Sequence, residues 1–432
     1  MHNNPASIVN SPLKWDMAIF GFQEKHTTNL LKIIKNDGEL EGLFPPGTFK
    51  RHADLNFNIN LLNTRIALNR RSAIAFGVNL KSYSSFQTGT VYFSDTLGSF
   101  ADFFQYNEDR DPKSNFSSST WAEVYLSYGR TIFDNEIGRL NAGITLKLNK
   151  GLAGGFASLR NVSFNRTGSS PLKYNVNSGE IDYGYFAGYD ILDDDGSAND
   201  FLASTRNNGS LDIGLEYLVK LPSIPSVFDN ENLYDYDWKI GVSVLDIGYT
   251  KYPFGTKSTR AKMLKPGNTD SILDEVLGGS IDNLQDLQDS LGILYNSIGT
   301  YTGNFGIGNP ARIVLNVDKY LMDAFFINAD LSVDLSFLSK RVNRPVRDIN
   351  LLTVTPRWET RKKGFYLPIY YNNHNQVWVG GAVRMGPVLL GIHNWNNVFS
   401  KKKLYRGGLY LTFLLRASDY TRMRYDKRLN CP

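Results

Sequence analysis

The chain is short of most features that mark an enzyme, a secreted stapled domain or a helical membrane protein. It has one cysteine, Cys431, beside the last residue, so a disulfide within the chain is impossible and the small disulfide-framed class is excluded. No apolar run approaches the roughly 18 residues of a membrane-crossing helix. The net charge over 432 residues is only +5, with basic residues scattered or in turns, so nucleic acid is not an expected partner. The histidines are His2, His26, His52, His374 and His393. None has a ligand partner four residues on, and neither HExxH nor GxSxG occurs. No catalytic set and no cofactor is expected. The opening, MHNNPASIVN, has no basic stretch followed by an apolar one. An exported protein needs such a leader, so if the chain is exported the expectation is a mature or trimmed form.

What the chain does have is alternation. Leu55, Phe57, Ile59 and Leu61 are interleaved with Asn56, Asn58 and Asn60, which makes one face of a strand apolar and the other polar. Segments of this kind recur along the chain, with 24 Tyr, 26 Phe and 6 Trp to supply interfacial girdles. The mean hydropathy of -0.29 agrees with a wet interior and long polar loops. The alternative, a soluble sandwich or propeller, has strands of about 5 to 6 residues, and these run longer.

The pattern predicts an all-β fold: a 14-stranded antiparallel transmembrane β-barrel with long extracellular loops and a loop helix. The strands are read at 15–22, 53–69, 73–87, 117–133, 139–150, 209–221, 237–251, 311–320, 324–338, 350–361, 364–371, 376–385, 388–395 and 405–416, within two strands either way. A short helical pattern is read at 29–34. Residues 1–432 are taken as one barrel domain, with large extracellular insertions about 151–208 and 252–310 and a C-terminal tail about 417–432. Turns and loops alternate short and long, the outer-membrane habit, which places both termini in the periplasm. The connection after strand six is long for its side. On strand nine, Ile327, Ala329, Leu331, Val333 and Leu335 are expected to face lipid, and Asn328, Asp330, Ser332 and Asp334 the lumen.

Several features are candidates for chemistry. Asp193, Asp195 and Asp200 lie in an acidic stretch with Asp190 and Asn199. They offer a calcium site or a solvated loop, and the spacing is not that of an EF-hand. Gly303, Gly306 and Gly308 resemble half a phosphate loop but lead into a strand. Residues 270–296 form the one convincing helix, with Ile272, Leu273, Val276, Leu277, Ile281, Leu284, Leu287 and Leu291 at helical spacing. Asp270 or Ser271 is the expected cap, and Gly278-Gly279 a break or bend. The apolar face reads as a lid on neighbouring loops, a hydrophobic ligand site or a partner surface. Arg70-Arg71 and Arg361-Lys362-Lys363 fall on the inner side. Lys340-Arg341, Arg344, Arg347 and Lys401-Lys402-Lys403 fall outside, where lipopolysaccharide phosphates or plain solubility explain them.

Asn4-Pro5-Ala6, just before strand one, resembles the motif of the long-chain fatty-acid transporter superfamily of outer-membrane barrels. Ile240 to Gly248 and Gly308-Asn309-Pro310-Ala311-Arg312 are further echoes. Together they are similar to the Bacteroidota branch, which includes the type IX secretion shuttle barrel, and most similar to a related uncharacterised barrel family. The resemblance implies fourteen strands, an outer-membrane location and handling of hydrophobic molecules. Those transporters carry a lumenal plug of about forty residues before the motif. Here Met1, His2 and Asn3 precede it, so no gate or ligand residues are carried over.

The leading functional expectation is a non-enzymatic accessory or scaffold barrel in a larger assembly of secretion or barrel-assembly type. An outer-membrane transporter for hydrophobic or amphipathic small molecules follows closely. An enzyme barrel comes third, since it needs a Ser–His–acid cluster that nothing suggests. Expected partners are outer-membrane lipid and lipopolysaccharide, other outer-membrane or periplasmic proteins, and a hydrophobic small molecule.

Overall fold

The computed structural model describes residues 3–30, 32–36, 39–193, 196–220, 235–279, 281–322, 324–336, 344–360, 362–399 and 406–417. Fourteen barrel strands follow one another in order. They are β1 (Trp15–Thr28), β2 (Gly47–Asn69), β3 (Ser72–Phe93), β4 (Ser114–Asp134), β5 (Gly138–Ser169), β6 (Asn207–Val219) and β7 (Trp238–Pro253). Then come β8 (Arg312–Met322), β9 (Phe325–Asp334), β10 (Leu351–Glu359), β11 (Lys363–Tyr366 with Ile369–Asn372), β12 (Val377–Val379 with Gly381–Met385), β13 (Val388–Ile392) and β14 (Arg406–Gly407 with Leu409–Arg416). Each pairs antiparallel with the next, and β14 returns to β1 from Asp16↔Arg416 to Gln23↔Tyr410. The sheet is closed, so its backbone groups are satisfied without an open edge in the wall.

The alternation puts polar residues in and apolar residues out. On β4, Ser119, Glu123, Ser127 and Thr131 are buried, while Val124, Leu126 and Ile132 are each more than half exposed. On β5, Thr145, Lys147 and Asn149 are buried between exposed Ile144, Leu146 and Leu148. A surface of this kind belongs in lipid, because in water it would be a continuous apolar patch. The register read for strand nine holds where it can be seen: Leu331 is exposed, and Asn328 and Asp330 line a lumenal cavity.

Some expectations fail. The helical pattern at 29–34 is a strand hairpin, Lys32–Asn36 with Glu39–Leu43, because a cross-strand partner overrides a weak local preference. Residues 151–169 are not an insertion. They continue β5 past the wall and pair with Leu172–Tyr185. That strand pairs in turn with Thr259–Leu264, which pairs with Tyr295–Thr300, so the two large insertions share one outer sheet. Nine of the strands also differ from their predicted ends by three residues or fewer at both termini, as the framed turns require.

The filling of the lumen can be ordered along two neighbouring strands. On β3 the inward residues run Ala73, Ala75, Asn79, Lys81, Tyr83, Ser85, Gln87, and on β4 the matching series is Tyr125, Glu123, Trp121, Ser117. From the short-turn end outward this gives an apolar cluster of Ile8, Val9, Ala73, Ala75 and Tyr125. A charged belt follows. Above it lies an aromatic layer that includes Tyr83, Trp121, Phe156, Tyr252 and Phe305.

Candidate functional site

At the long-loop end the two insertions and the β3–β4 loop build an apolar cap around a cavity. Residues 270–296 are not one helix but two, Asp270–Leu277 and Leu284–Leu294, with Gly278 at the C-cap of the first. Tyr295 already begins a strand. The cap of the first helix is Thr269, whose side chain accepts from the Ile272 N–H, not Asp270 or Ser271. Asp270 is instead used in tertiary structure: its Oδ1 accepts from the Tyr174 backbone N–H at 2.8 Å. A third helix, Phe100–Tyr106, is capped by Ser99 and docks on the first through the Phe100 N–H, which donates to Asp274 Oδ1 at 2.9 Å.

These elements enclose a cavity of about 540 Å³ lined by Phe100, Phe103, Phe104, Leu159, Val176, Ile181, Leu264, Leu273, Leu277 and Leu294, among others. Its polar side chains among the described residues are Ser99, Ser178, Asp274 and Tyr295. Behind it is a core of Phe104, Tyr174, Leu273, Leu291 and Leu294, with Ile272, Val276, Leu277 and Leu287 packed against it. Phe104 stands 4.4 Å from Phe164, ring centre to ring centre. Of the predicted helix residues, Leu273 and Leu277 reach the cavity, Ile272, Val276, Leu287 and Leu291 support its wall, and Leu284 is exposed. A cavity of this size and lining fits an apolar or amphipathic small molecule. Burial pushes the Tyr174 and Tyr295 hydroxyls up to about 12, with help from Glu108 and Glu180 respectively.

Asn4-Pro5-Ala6 lies inside the barrel. Residues Pro5–Val9 form a short 3-10 helix capped by Asn4, whose Oδ1 accepts from the Ala6 N–H. Asn4 Nδ2 donates to the Leu215 carbonyl at 2.9 Å. The wall is glycine here because the segment lies against it. A Cβ on Gly143 would stand 2.3 Å from the Pro5 carbonyl carbon, and one on Gly129 2.6 Å from Ile8. Arg65 holds the exit of the segment, donating to the carbonyls of Ile8, Leu13 and Ser11 at 2.5, 2.7 and 3.0 Å.

Above the segment is the charged belt. Lys147 lies 2.7 Å from both Asp212 and Asp246, Lys81 3.0 Å from Glu123 and 3.1 Å from Asp246, Arg312 3.1 Å from Asp246, and Lys25 2.8 Å from Asp348. Arg312 joins the two halves, 3.5 Å from Asp348. Asp246 is turned into the lumen by a bulge between Val244 and Ile247, with φ of 56°, a conformation that aspartate accepts more readily than most residues. The belt pairs Lys25, Lys81, Lys147 and Arg312 with Glu123, Asp212, Asp246 and Asp348, and is neutral in sum.

Of the three calcium candidates, Asp193 and Asp200 fall among the described residues. Asp193 ends a helix, Gly188–Asp193, and Asp195 lies outside the described residues. Asp200 is engaged in a capping box with Ser197. Among the described residues no group of three potential ligands gathers. Gly306 and Gly308 fall in a strand, Asn304–Gly308, that pairs with the outer end of β7. Arg344 and Arg347, expected on the outer surface, line a cavity at the lumen mouth. Lys340, Arg341 and Lys401 to Lys403 lie outside the described residues. The belt was not anticipated, although Lys81, Glu123, Lys147 and Asp212 occupy polar positions of the alternation and were legible as inward-facing. The helix at Phe100–Tyr106 falls between two expected strands, 73–87 and 117–133, where no helix was expected.

No curated protein sequence matches the chain. Among solved structures, the Ralstonia pickettii toluene transporter TbuX is similar at 12% identity over 96% of this chain and 92% of that one, with a TM-score of 0.43. The Pseudomonas putida toluene transporter TodX is similar at 11% identity over 95% and 91%, TM-score 0.39. The translocator domain of the Neisseria meningitidis autotransporter NalP gives 11% over 93% and 87%, TM-score 0.27. A family model described as a family of unknown function, DUF5723, matches residues 5–392, and the chain belongs to that family.

Proposed function

We propose that this protein is a non-enzymatic outer-membrane barrel that receives a hydrophobic or amphipathic small molecule at its long-loop end, as the first step of transport. One observation carries the reading: a cavity of about 540 Å³ with an apolar wall, held by three capped helices and an outer sheet. Such a cavity in soluble loops is costly unless something fills it. In this reading the short turns face the periplasm, where β1 begins and β14 ends. The Asn4-Pro5-Ala6 motif keeps the likeness to the fatty-acid transporter superfamily and its Bacteroidota branch within the proposal. The test is titration of a naphthalene-type fluorophore into the barrel in lipid nanodiscs. Saturable binding that is lost in Leu277→Trp and kept in Leu284→Trp supports it. Binding that ignores both substitutions refutes it.

A second reading, an accessory subunit of a larger outer-membrane assembly, draws on the filled lumen. The 3-10 segment, the charged belt and the aromatic layer succeed one another along the axis, which suits a scaffold. Native mass spectrometry after mild extraction from its own membranes separates the two. Stoichiometric protein partners favour the subunit, and a lone barrel with a retained small mass favours the transporter.

A further inference from the structure

Above the aromatic layer, a second cavity of about 240 Å³ opens at the lumen mouth, and its charge is unbalanced. Arg160, Arg260, Arg344 and Arg347 line it, with Asp182 as the one carboxylate in its wall among the described residues. Asp182 Oδ2 is shared: Arg160 and Arg344 each reach it at 3.3 Å and Arg260 at 3.9 Å. Its other oxygen accepts from the Tyr301 hydroxyl. Arg347 donates to the neutral Gln87 side chain at 2.9 Å. It feels the charges of Asp54 and Asp334 without an ion pair to either. Arg260 Nε is buried and has no hydrogen-bond partner. At the rim, Lys262 is paired with Glu180 at 3.8 Å, which adds nothing to the sum.

We infer that this vestibule is a binding site for a soluble solute bearing a doubly charged phosphate- or sulfate-type group. The contrast with the belt below is the argument. There every cation has its carboxylate, as a purely structural network requires. Here three guanidiniums converge on one carboxylate oxygen and the fourth makes no ion pair among the described residues, so the cations of the wall outnumber its carboxylate. Each guanidinium carries five donors in a planar fork suited to tetrahedral oxyanions. The Arg344 guanidinium carbon lies 3.5 Å from the centre of the Phe156 ring, and the Arg260 carbon 5.3 Å from that of Tyr301. The aromatic faces support the forks and leave their edges for a ligand. Asp182 is the placeholder that holds them when the site is empty. The vestibule is separate from the apolar cavity. On paired strands, Ser158 and Asp182 face the first, and Leu159 and Ile181 the second. The inference therefore does not rest on the proposed transport function.

The test uses inorganic phosphate as the probe, titrated calorimetrically into the full chain in nanodiscs at constant ionic strength. Saturable binding is expected in the wild type. Arg344→Gln and Arg347→Gln should each weaken it roughly tenfold. Asp182→Asn should strengthen it by a similar factor, an outcome that a merely structural salt bridge would not produce. Retained native electrophoretic mobility of each variant excludes misfolding, and retained fluorophore binding isolates the result from the apolar cavity. Absence of saturation in both the wild type and Asp182→Asn overturns the inference. So does displacement of phosphate by added lipopolysaccharide, which would assign the arginines to a lipid phosphate.

Discussion

Asn4 and Gly214 meet so closely that a Cβ built on Gly214 would stand 2.0 Å from Asn4 Oδ1. The N-terminal segment and the β6 wall are therefore complementary at one atom, and the barrel keeps glycine there to admit the segment. Gly214→Val should displace the segment without dismantling the wall, since a β-branched residue is at home in a strand. Planar-bilayer recordings should show larger or more frequent openings than the wild type. Asn4→Ala should act in the same direction but more weakly, removing a cap worth about 1 kcal/mol. Unchanged conductance in Gly214→Val would show that the segment does not limit passage.

Leu277 lines the apolar cavity and Leu284 is exposed on the neighbouring helix. A tryptophan at 277 occupies space a ligand would need. The expected loss of fluorophore affinity is about tenfold or more, equivalent to about 1.4 kcal/mol. Leu284→Trp should leave affinity within experimental scatter.

Asp246 contacts Lys81, Lys147 and Arg312 at once. Asp246→Asn leaves those cations short of a partner in a buried site, and the expected destabilisation is about 3–5 kcal/mol. The Lys113–Asp111 pair is more than half exposed on both sides, so Asp111→Asn should cost nothing measurable. Urea unfolding in lipid vesicles gives both values. Equal effects would remove the belt as a structural element.

On β9, Leu331 faces outward and pairs with Leu315 on β8 and Leu352 on β10. Leu331→Arg near the midplane should cost roughly 2–4 kcal/mol, and Ser332→Arg less. Folding yield into vesicles and urea midpoints read the difference. The reverse order would contradict the register.

Tyr174 and Tyr295 are neutral in the cap, and their hydroxyls are raised to about 12, chiefly by burial. A raised pKa in the folded state means that the cap is favoured by the neutral form. That contribution is complete below the unfolded value of about 10 and is lost as pH rises through about 12. Protease cleavage within the outer loops should begin to accelerate above about pH 10. In Tyr295→Phe the dependence should flatten. A cap equally resistant across that window would deny the tyrosines this role.

Much of the fold was legible because a barrel wall is a local code. Whether Lys147 points in and Leu148 out follows from a period of two, and every strand repeats the same decision. The outer cap was legible only in part. Helical spacing exposed Leu273, Leu277 and Leu291, and Gly278-Gly279 announced the break between two helices. The helix Phe100–Tyr106 did carry a local signal, the Ser99 cap and the helical spacing of Phe100, Phe103 and Phe104; only its docking, through the Phe100 N–H on Asp274, depends on a residue far along the chain.

The sequence by itself determined the closed fourteen-stranded wall, its inside and outside, and an apolar helix region at one end, since each rests on periodicity within a few residues. Only the tertiary structure decided that Asn4-Pro5-Ala6 lies in the lumen, that Asp246 joins three cations, and that Arg160, Arg260 and Arg344 share one carboxylate with Arg347 beside them. Those arrangements depend on which strands become neighbours across a closed barrel and on where β5 leaves the wall. Such distances are set by strand pairing and packing over the whole chain, and no short window of residues contains them.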